Sequence, residues 1–239
     1  VKTVAALLGL LALLGAGAPP VERVGKTRMA IVRPAGDPAG SVIVIPGGST
    51  LLNFHDDGTT SNEGNFVMRV RERFVEAGFA IAYLEDPSDL RPAIARMRRV
   101  ARPVFLLSTS NGTTVAAREA AALGADGPDG VVLTSTVTKI SRASYTSAAS
   151  ADVRRITAPV LFVHNRNDSC FVSPPSGVTA LMGRFPKGAD VTRIDVASDE
   201  IRSDPCEASS PHGYLGIEAD VTAQIVAWMK AHGARESSR

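Results

Sequence analysis

Short apolar runs alternate with amphipathic stretches along most of this chain, and that alternation restricts its fold more than any other feature. Strand-length runs occupy residues 29–32, 42–45, 79–84, 104–107, 131–134, 160–164 and 191–196. Between them, apolar residues recur at helical spacing. Phe66, Val67, Val70, Phe74 and Val75 form one such set, and Ile94, Met97 and Val100 another, with arginines on the remaining faces. Gly112 opens an Ala-rich helix to Leu123, residues 178–185 give a shorter helix, and Val221, Ile225 and Trp228 mark the apolar face of a last helix over 218–232. Buried strands interleaved with helices predict an α/β fold: a mostly parallel sheet covered by helices on both faces. The chain shows no internal repeat, long linker or large cap insertion. Its 239 residues suit a single domain, expected over residues 19–239.

The first residues read differently. Lys2 precedes an apolar run over residues 4–14, then Ala16-Gly17-Ala18 and Pro19-Pro20. A basic start, a short apolar stretch and a small-x-small site predict a secretory signal over 1–18, cleaved after Ala18. The run is shorter than the ~20 residues of a spanning helix, so no stable membrane anchor is expected after cleavage. The mature chain is therefore expected in the periplasm or outside the cell. Its two cysteines, Cys170 and Cys206, suggest one disulfide in that oxidising compartment, the other reading being two free buried thiols. Neither belongs to a CxxC pair or a Cys/His cluster, so no zinc or other metal site is expected. The formal charge of +2, with acidic residues spread along the chain, gives no nucleic-acid footprint.

Parallel α/β sheets carry their sites at the carboxyl ends of the strands. The run 104–107 ends in Ser108-Thr109-Ser110-Asn111-Gly112, which leads straight into a helix. A nucleophile elbow needs this strand–turn–helix context, with small residues two before and two after the nucleophile. Ser108 and Gly112 fill those places around Ser110, although Ser stands where Gly is usual. A serine hydroxyl needs a base, and the base needs an orienting acid. Of the four histidines, His232 reads as a helix-end cation, His164 as a structural hydrogen-bonding residue, and His55 as part of a polar loop with Asp56 and Asp57. His212, in Ser210-Pro211-His212-Gly213-Tyr214, lies on a loop before the final helix and is the candidate base. Asp168 follows the strand 160–164 after a short turn and is the candidate acid. Asp195 and Asp199 read as surface or turn residues.

With these motifs in order, the chain resembles the α/β-hydrolases, and small secreted bacterial members in particular. The resemblance rests on Pro46-Gly47-Gly48, Ser108-Thr109-Ser110-Asn111-Gly112, Asn167-Asp168-Ser169-Cys170, and Cys206 followed by His212-Gly213-Tyr214. It implies an eight-stranded type of sheet and acyl transfer to water through Ser110, His212 and Asp168. It also implies an oxyanion hole from the backbone N–H of Asn111 and that of Gly48 or Ser49. Pro46 stands where a His before the glycines is usual. No organic cofactor is called for; the partners would be a small-molecule acyl substrate and water. A short segment after Thr134 with no large apolar face favours small or short-acyl esters over long lipids. An exported binding protein on the same scaffold, and an acyltransferase on the same triad, are the competing readings.

Overall fold

The structure is a computed structural model that describes residues 19–55, 59–142 and 145–236. The expected signal over residues 1–18, and its cleavage after Ala18, lie outside the described residues. Among the described residues no helix is long and apolar enough to cross a membrane.

Eight strands form one sheet: β1 (Val21–Val24), β2 (Thr27–Val32), β3 (Ser41–Ile45), β4 (Ala80–Leu84), β5 (Val104–Thr109), β6 (Gly130–Thr134), β7 (Val160–Asn165) and β8 (Val191–Val196). Their spatial order is β1-β2-β4-β3-β5-β6-β7-β8. Strands β3 to β8 run parallel, while β1 and β2 add antiparallel to the β4 edge. Every residue of β3, β4, β5, β6 and β7 is buried, which is why these strands read as unbroken apolar runs. The outer strand β8 carries Arg193 and Asp195, a charged edge that discourages pairing with another chain.

Alternate residues of the strands feed two apolar layers. Ile43, Ile45, Leu106 and Phe162 pack with α3 (Arg91–Arg98), α4 (Asn111–Leu123) and α5 (Pro175–Met182). Val42, Val44, Phe105 and Leu107 pack with α1 (Phe66–Arg69), α2 (Arg71–Glu76) and α6 (Glu218–Glu236). Helices thus cover both faces, as the alternation predicts. Residues 135–159 between β6 and β7 contain only two short 3₁₀ turns among the described residues and build no large cap.

Two local expectations are corrected. The helix expected over 66–75 is two helices, because the chain tightens at Val70 (φ −102°, ψ 1°) and Arg73 N–H donates to Val70 O in a three-residue step. Its apolar face survives, since the break inserts no residue: Phe66, Val67, Val70 and Phe74 are all buried. The edge strand β1 escaped sequence reading because Val21-Glu22-Arg23-Val24 offers only two apolar residues.

Candidate active site

Strand β5 ends at Thr109 and α4 begins at Asn111, so Ser110 alone must reverse the chain. It does so at φ 50° and ψ −126°, a conformation that costs a non-glycine residue of order 1–3 kcal/mol. The turn is pinned by Ser110 N–H donating to Thr134 O (3.1 Å) and by Thr113 N–H and Oγ1 donating to Ser110 O (2.9 and 2.6 Å). A Cβ on Gly112 would stand 2.4 Å from Ile45 O and 2.6 Å from Pro46 O, so only glycine lets α4 approach β3 this closely. Ser108 is fully buried and donates its hydroxyl to Val132 O (3.1 Å); it is a packing residue. The Ser110 hydroxyl makes no hydrogen bond among the described residues.

Asp168 and His212 come together from two different loops, and both side chains are almost completely buried. His212 Nδ1 lies 2.9 Å from Asp168 Oδ2. The carboxylate can only accept, so Nδ1–H is the donor and the lone pair sits on Nε2. That Nε2 is buried and has no hydrogen-bond partner among the described residues. Asp168 Oδ1 accepts from Cys170 N–H (2.9 Å), and Ser173 Oγ lies 3.0 Å from Asp168 Oδ2 and 3.1 Å from His212 Nδ1. Ser173 is a residue that sequence reasoning missed. It is fully buried and touches Nδ1 rather than Nε2, so it braces the pair.

The histidine loop is held from several sides. Ser135 Oγ donates to His212 O (2.6 Å), and Ser210 Oγ accepts from His212 N–H (3.2 Å). Tyr214 Oη donates to Val163 O and accepts from Ser135 N–H, both at 2.8 Å; burial pushes its phenol pKa well above the ordinary value. The Arg69 guanidinium joins α1 to this loop and to α6 through Gly213 O and Glu218 (2.8 Å each). Cys170 and Cys206 form a disulfide 36 residues apart in sequence, which ties the acid loop to the histidine loop. Of the two readings of the cysteines, the bonded one holds.

A cleft of about 400 Å³ brings Ser110 and His212 together with Gly47, Gly48, Asn65 and Asn111. Ser49 is not among its lining residues. The N–H groups of Gly48, Ser49 and Asn111 have no acceptor among the described residues, so they are free to meet an anion. Asn62, another residue the sequence did not flag, holds this loop: its Nδ2 donates to Gly47 O (3.1 Å) and Ser49 O (2.8 Å). Asn111 Nδ2 donates to Gly48 O (3.1 Å).

The remaining candidates fall elsewhere. His164 was expected to make a structural hydrogen bond. Instead it is fully buried with neither ring nitrogen bonded among the described residues, and its Nε2 lies 3.8 Å from Asp168 Oδ2. His164 sits in the fully buried strand β7, and the Asp168 oxygen beside it already engages Ser173 and His212. Burial holds its pKa below the ordinary 6.5, against the pull of Asp168. His232 packs on Trp228 and meets Asp190 (3.2 Å), away from the cleft. Asp195 pairs with Arg193 on β8 (2.8 Å). Asp56 and Asp57 lie outside the described residues. One trio of possible metal donors exists among the described residues, Asp168, Cys170 and His212. The Cys170 sulfur is consumed in the disulfide and the other two bond each other, so the donor set does not suit a metal.

No family model and no curated protein matches the sequence. Solved structures do match the fold. The sugar hydrolase YeeB from Lactococcus lactis superposes with a TM-score of 0.63 at 13% identity, over 92% of this chain and 98% of that one. Est1E from Butyrivibrio proteoclasticus gives 0.61 at 13% identity, over 91% and 100%. A thermostable carboxyl esterase from Bacillus coagulans gives 0.59 at 13%, over 90% and 98%. Sheet order, helix placement and these superpositions together show that the chain has the α/β-hydrolase fold.

Proposed function

We propose that this protein is a serine hydrolase acting on carboxylic esters with small or short acyl groups. Ser110 is the nucleophile, His212 the base and Asp168 the acid. One observation carries the reading: a strained serine with a free hydroxyl shares a cleft with a histidine whose Nε2 is free and whose Nδ1 is fixed by a buried carboxylate. In the reaction, Ser110 Oγ attacks the ester carbonyl carbon while its proton passes to Nε2. The carbonyl oxygen becomes an oxyanion held by the N–H of Asn111 and of Gly48 or Ser49. Nε2–H then protonates the departing alkoxide, and water, deprotonated by the same nitrogen, releases the acid from Ser110. Asp168 keeps the imidazole in the required tautomer and stabilises its charged form.

The modest cleft and the lack of a cap between β6 and β7 support small substrates. The carboxyl esterase named above, and Est1E, which has been solved with ferulic acid bound, are in line with ester chemistry. The disulfide favours a non-cytoplasmic compartment, in keeping with residues 1–18 as an export signal and a mature domain from residue 19. The test is covalent labelling with a fluorophosphonate beside a chain-length series of p-nitrophenyl esters. Ser110→Ala should lose both labelling and turnover, Ser108→Ala should keep both, and acetate or butyrate should outrun long chains. Full turnover in Ser110→Ala, or activity confined to long-chain emulsions, would reject the corresponding part.

A further inference from the structure

Asn65 occupies the N-cap position of α1 with extended backbone (φ −64°, ψ 144°), yet its side chain does not cap the helix. An asparagine there ordinarily turns its Oδ1 onto a first-turn N–H. Here Oδ1 is buried with no donor, and Nδ2 has no acceptor among the described residues. Among the described residues the amide is spent on nothing. It lies in the wall of the cleft that holds Ser110, Asn111 and His212.

Gly47 shows how close the amide comes to the nucleophile. A Cβ on Gly47 would stand 2.7 Å from Ser110 Cβ and 3.2 Å from Asn65 Nδ2. Nδ2 and Ser110 Cβ are therefore no farther apart than those two distances laid end to end, and only the absence of a side chain at Gly47 allows the two to come this close. A substrate carbonyl attacked by Ser110 Oγ must lie within bonding distance of that hydroxyl, which puts its oxygen within reach of the same amide. A carboxamide is neutral at every working pH. It can aim N–H at developing charge without the desolvation cost of a buried cation.

We infer that Asn65 is a further catalytic residue: its Nδ2–H donates to the substrate carbonyl oxygen as that oxygen becomes an oxyanion, adding a side-chain donor to the backbone N–H groups. The inference rests on Ser110 being the nucleophile. Asn62 and Asn111 differ from Asn65, because their amides are engaged in holding the Gly47–Ser49 loop.

Two variants test this. Asn65→Ser can supply the cap that Asn65 does not, so its melting temperature should hold or rise while the donor is lost. Asn65→Asp keeps the size but turns a negative oxygen toward the oxyanion. Loss of one such donor lowers kcat by about 10²–10³-fold. KM should change little, and the fluorophosphonate inactivation rate should fall with kcat. The loss should be the same factor for acetate, butyrate and hexanoate esters, and for aryl and alkyl leaving groups, since all develop the same oxyanion. A loss confined to KM, or to one class of substrate, would make Asn65 a specificity contact and overturn the inference. Unchanged kcat in both variants would overturn it too. Ser110→Ala run in parallel separates the two levels. A dead Ser110→Ala with a fully active Asn65→Ser rejects the role of Asn65 alone, whereas an active Ser110→Ala rejects the nucleophile and this inference with it.

Discussion

Replacing Cys170 and Cys206 together by serine should damage catalysis and stability by separate routes. The bond closes a loop of 36 residues in sequence separation, worth about 4 kcal/mol in the chain-entropy account. For a chain of this size each kcal/mol moves the melting temperature by about 2–4 °C, so a fall of about 10 °C is expected. The catalytic effect follows from where the bond sits. Cys170 N–H donates to Asp168 Oδ1 at 2.9 Å, and Cys206 lines the cleft six residues before His212. Slackening either segment shifts the acid against the base, and errors of ~1 Å in such positioning cost up to 10²-fold in rate. A drop in kcat of about tenfold or more is expected well below the melting temperature. The assay pairs thermal melts with turnover of p-nitrophenyl acetate, normalised to the active sites that fluorophosphonate titrates. A lower melting temperature with unchanged kcat per active site would refute the positioning argument. No change in either would refute the loop-closure reasoning, and two titratable thiols in protein from an oxidising compartment would reject the bond.

Gly112→Ala should abolish turnover or folding, since its methyl meets Ile45 O and Pro46 O at 2.4 and 2.6 Å; a stable, fully active variant would show that the elbow can relax. Ser173→Ala removes a hydroxyl bonded to both Asp168 and His212, a charge-assisted contact of about 1.5–3 kcal/mol, and kcat should fall about tenfold at constant KM, measured by steady-state kinetics. His164 takes up a proton more readily when unfolded, because burial lowers its pKa in the fold from 6.5, with Arg193 and His212 adding to the effect and Asp168 and Asp195 opposing it. Its contribution to stability is therefore full above about pH 6.5 and is lost as pH falls below that value toward the folded pKa. Denaturant titrations from pH 7.5 to 4.5 should show a decline that is shallower in His164→Leu; parallel curves would dismiss His164 as its source.

The elements that were legible in the sequence are those whose signal is local. Strands β3 to β7 are buried on both faces and so read as apolar runs. Ser110 sits in a strand–turn–helix motif whose glycine is forced by contact with β3. Asp168 and His212, which the structure pairs at 2.9 Å, stand out in the sequence because each lies on a loop at the proper place in the order. What escaped was non-local. Ser173 matters only because its hydroxyl reaches His212 from 39 residues away, and Asn62 only because its amide folds back onto Gly47 and Ser49. Asn65 stands at an N-cap position, and only the structure shows that its side chain does not cap. His164 departs from expectation because a buried histidine is normally bonded, whereas here the neighbouring carboxylate oxygen stays 3.8 Å away.

The backbone gives an independent argument for the same place on the molecule. Among the described residues, four non-glycine positions have positive φ: Asn62 (72°), Ser110 (50°), Ser135 (45°) and Tyr214 (60°). Such conformations cost free energy and survive only where the surroundings over-determine them. Here the surroundings do. Asn62 is tied to two carbonyls of the Gly47–Ser49 loop, Ser110 is bonded to Thr134 and Thr113, and Ser135 and Tyr214 hold each other while Ser135 holds His212 O. Ser110 is the most telling, because its ψ of −126° takes it out of the left-handed helical well that asparagine tolerates. A residue chosen for stability at that point would be glycine. The chain carries a serine there, and three bonds to hold its turn, as the proposed role of Ser110 requires.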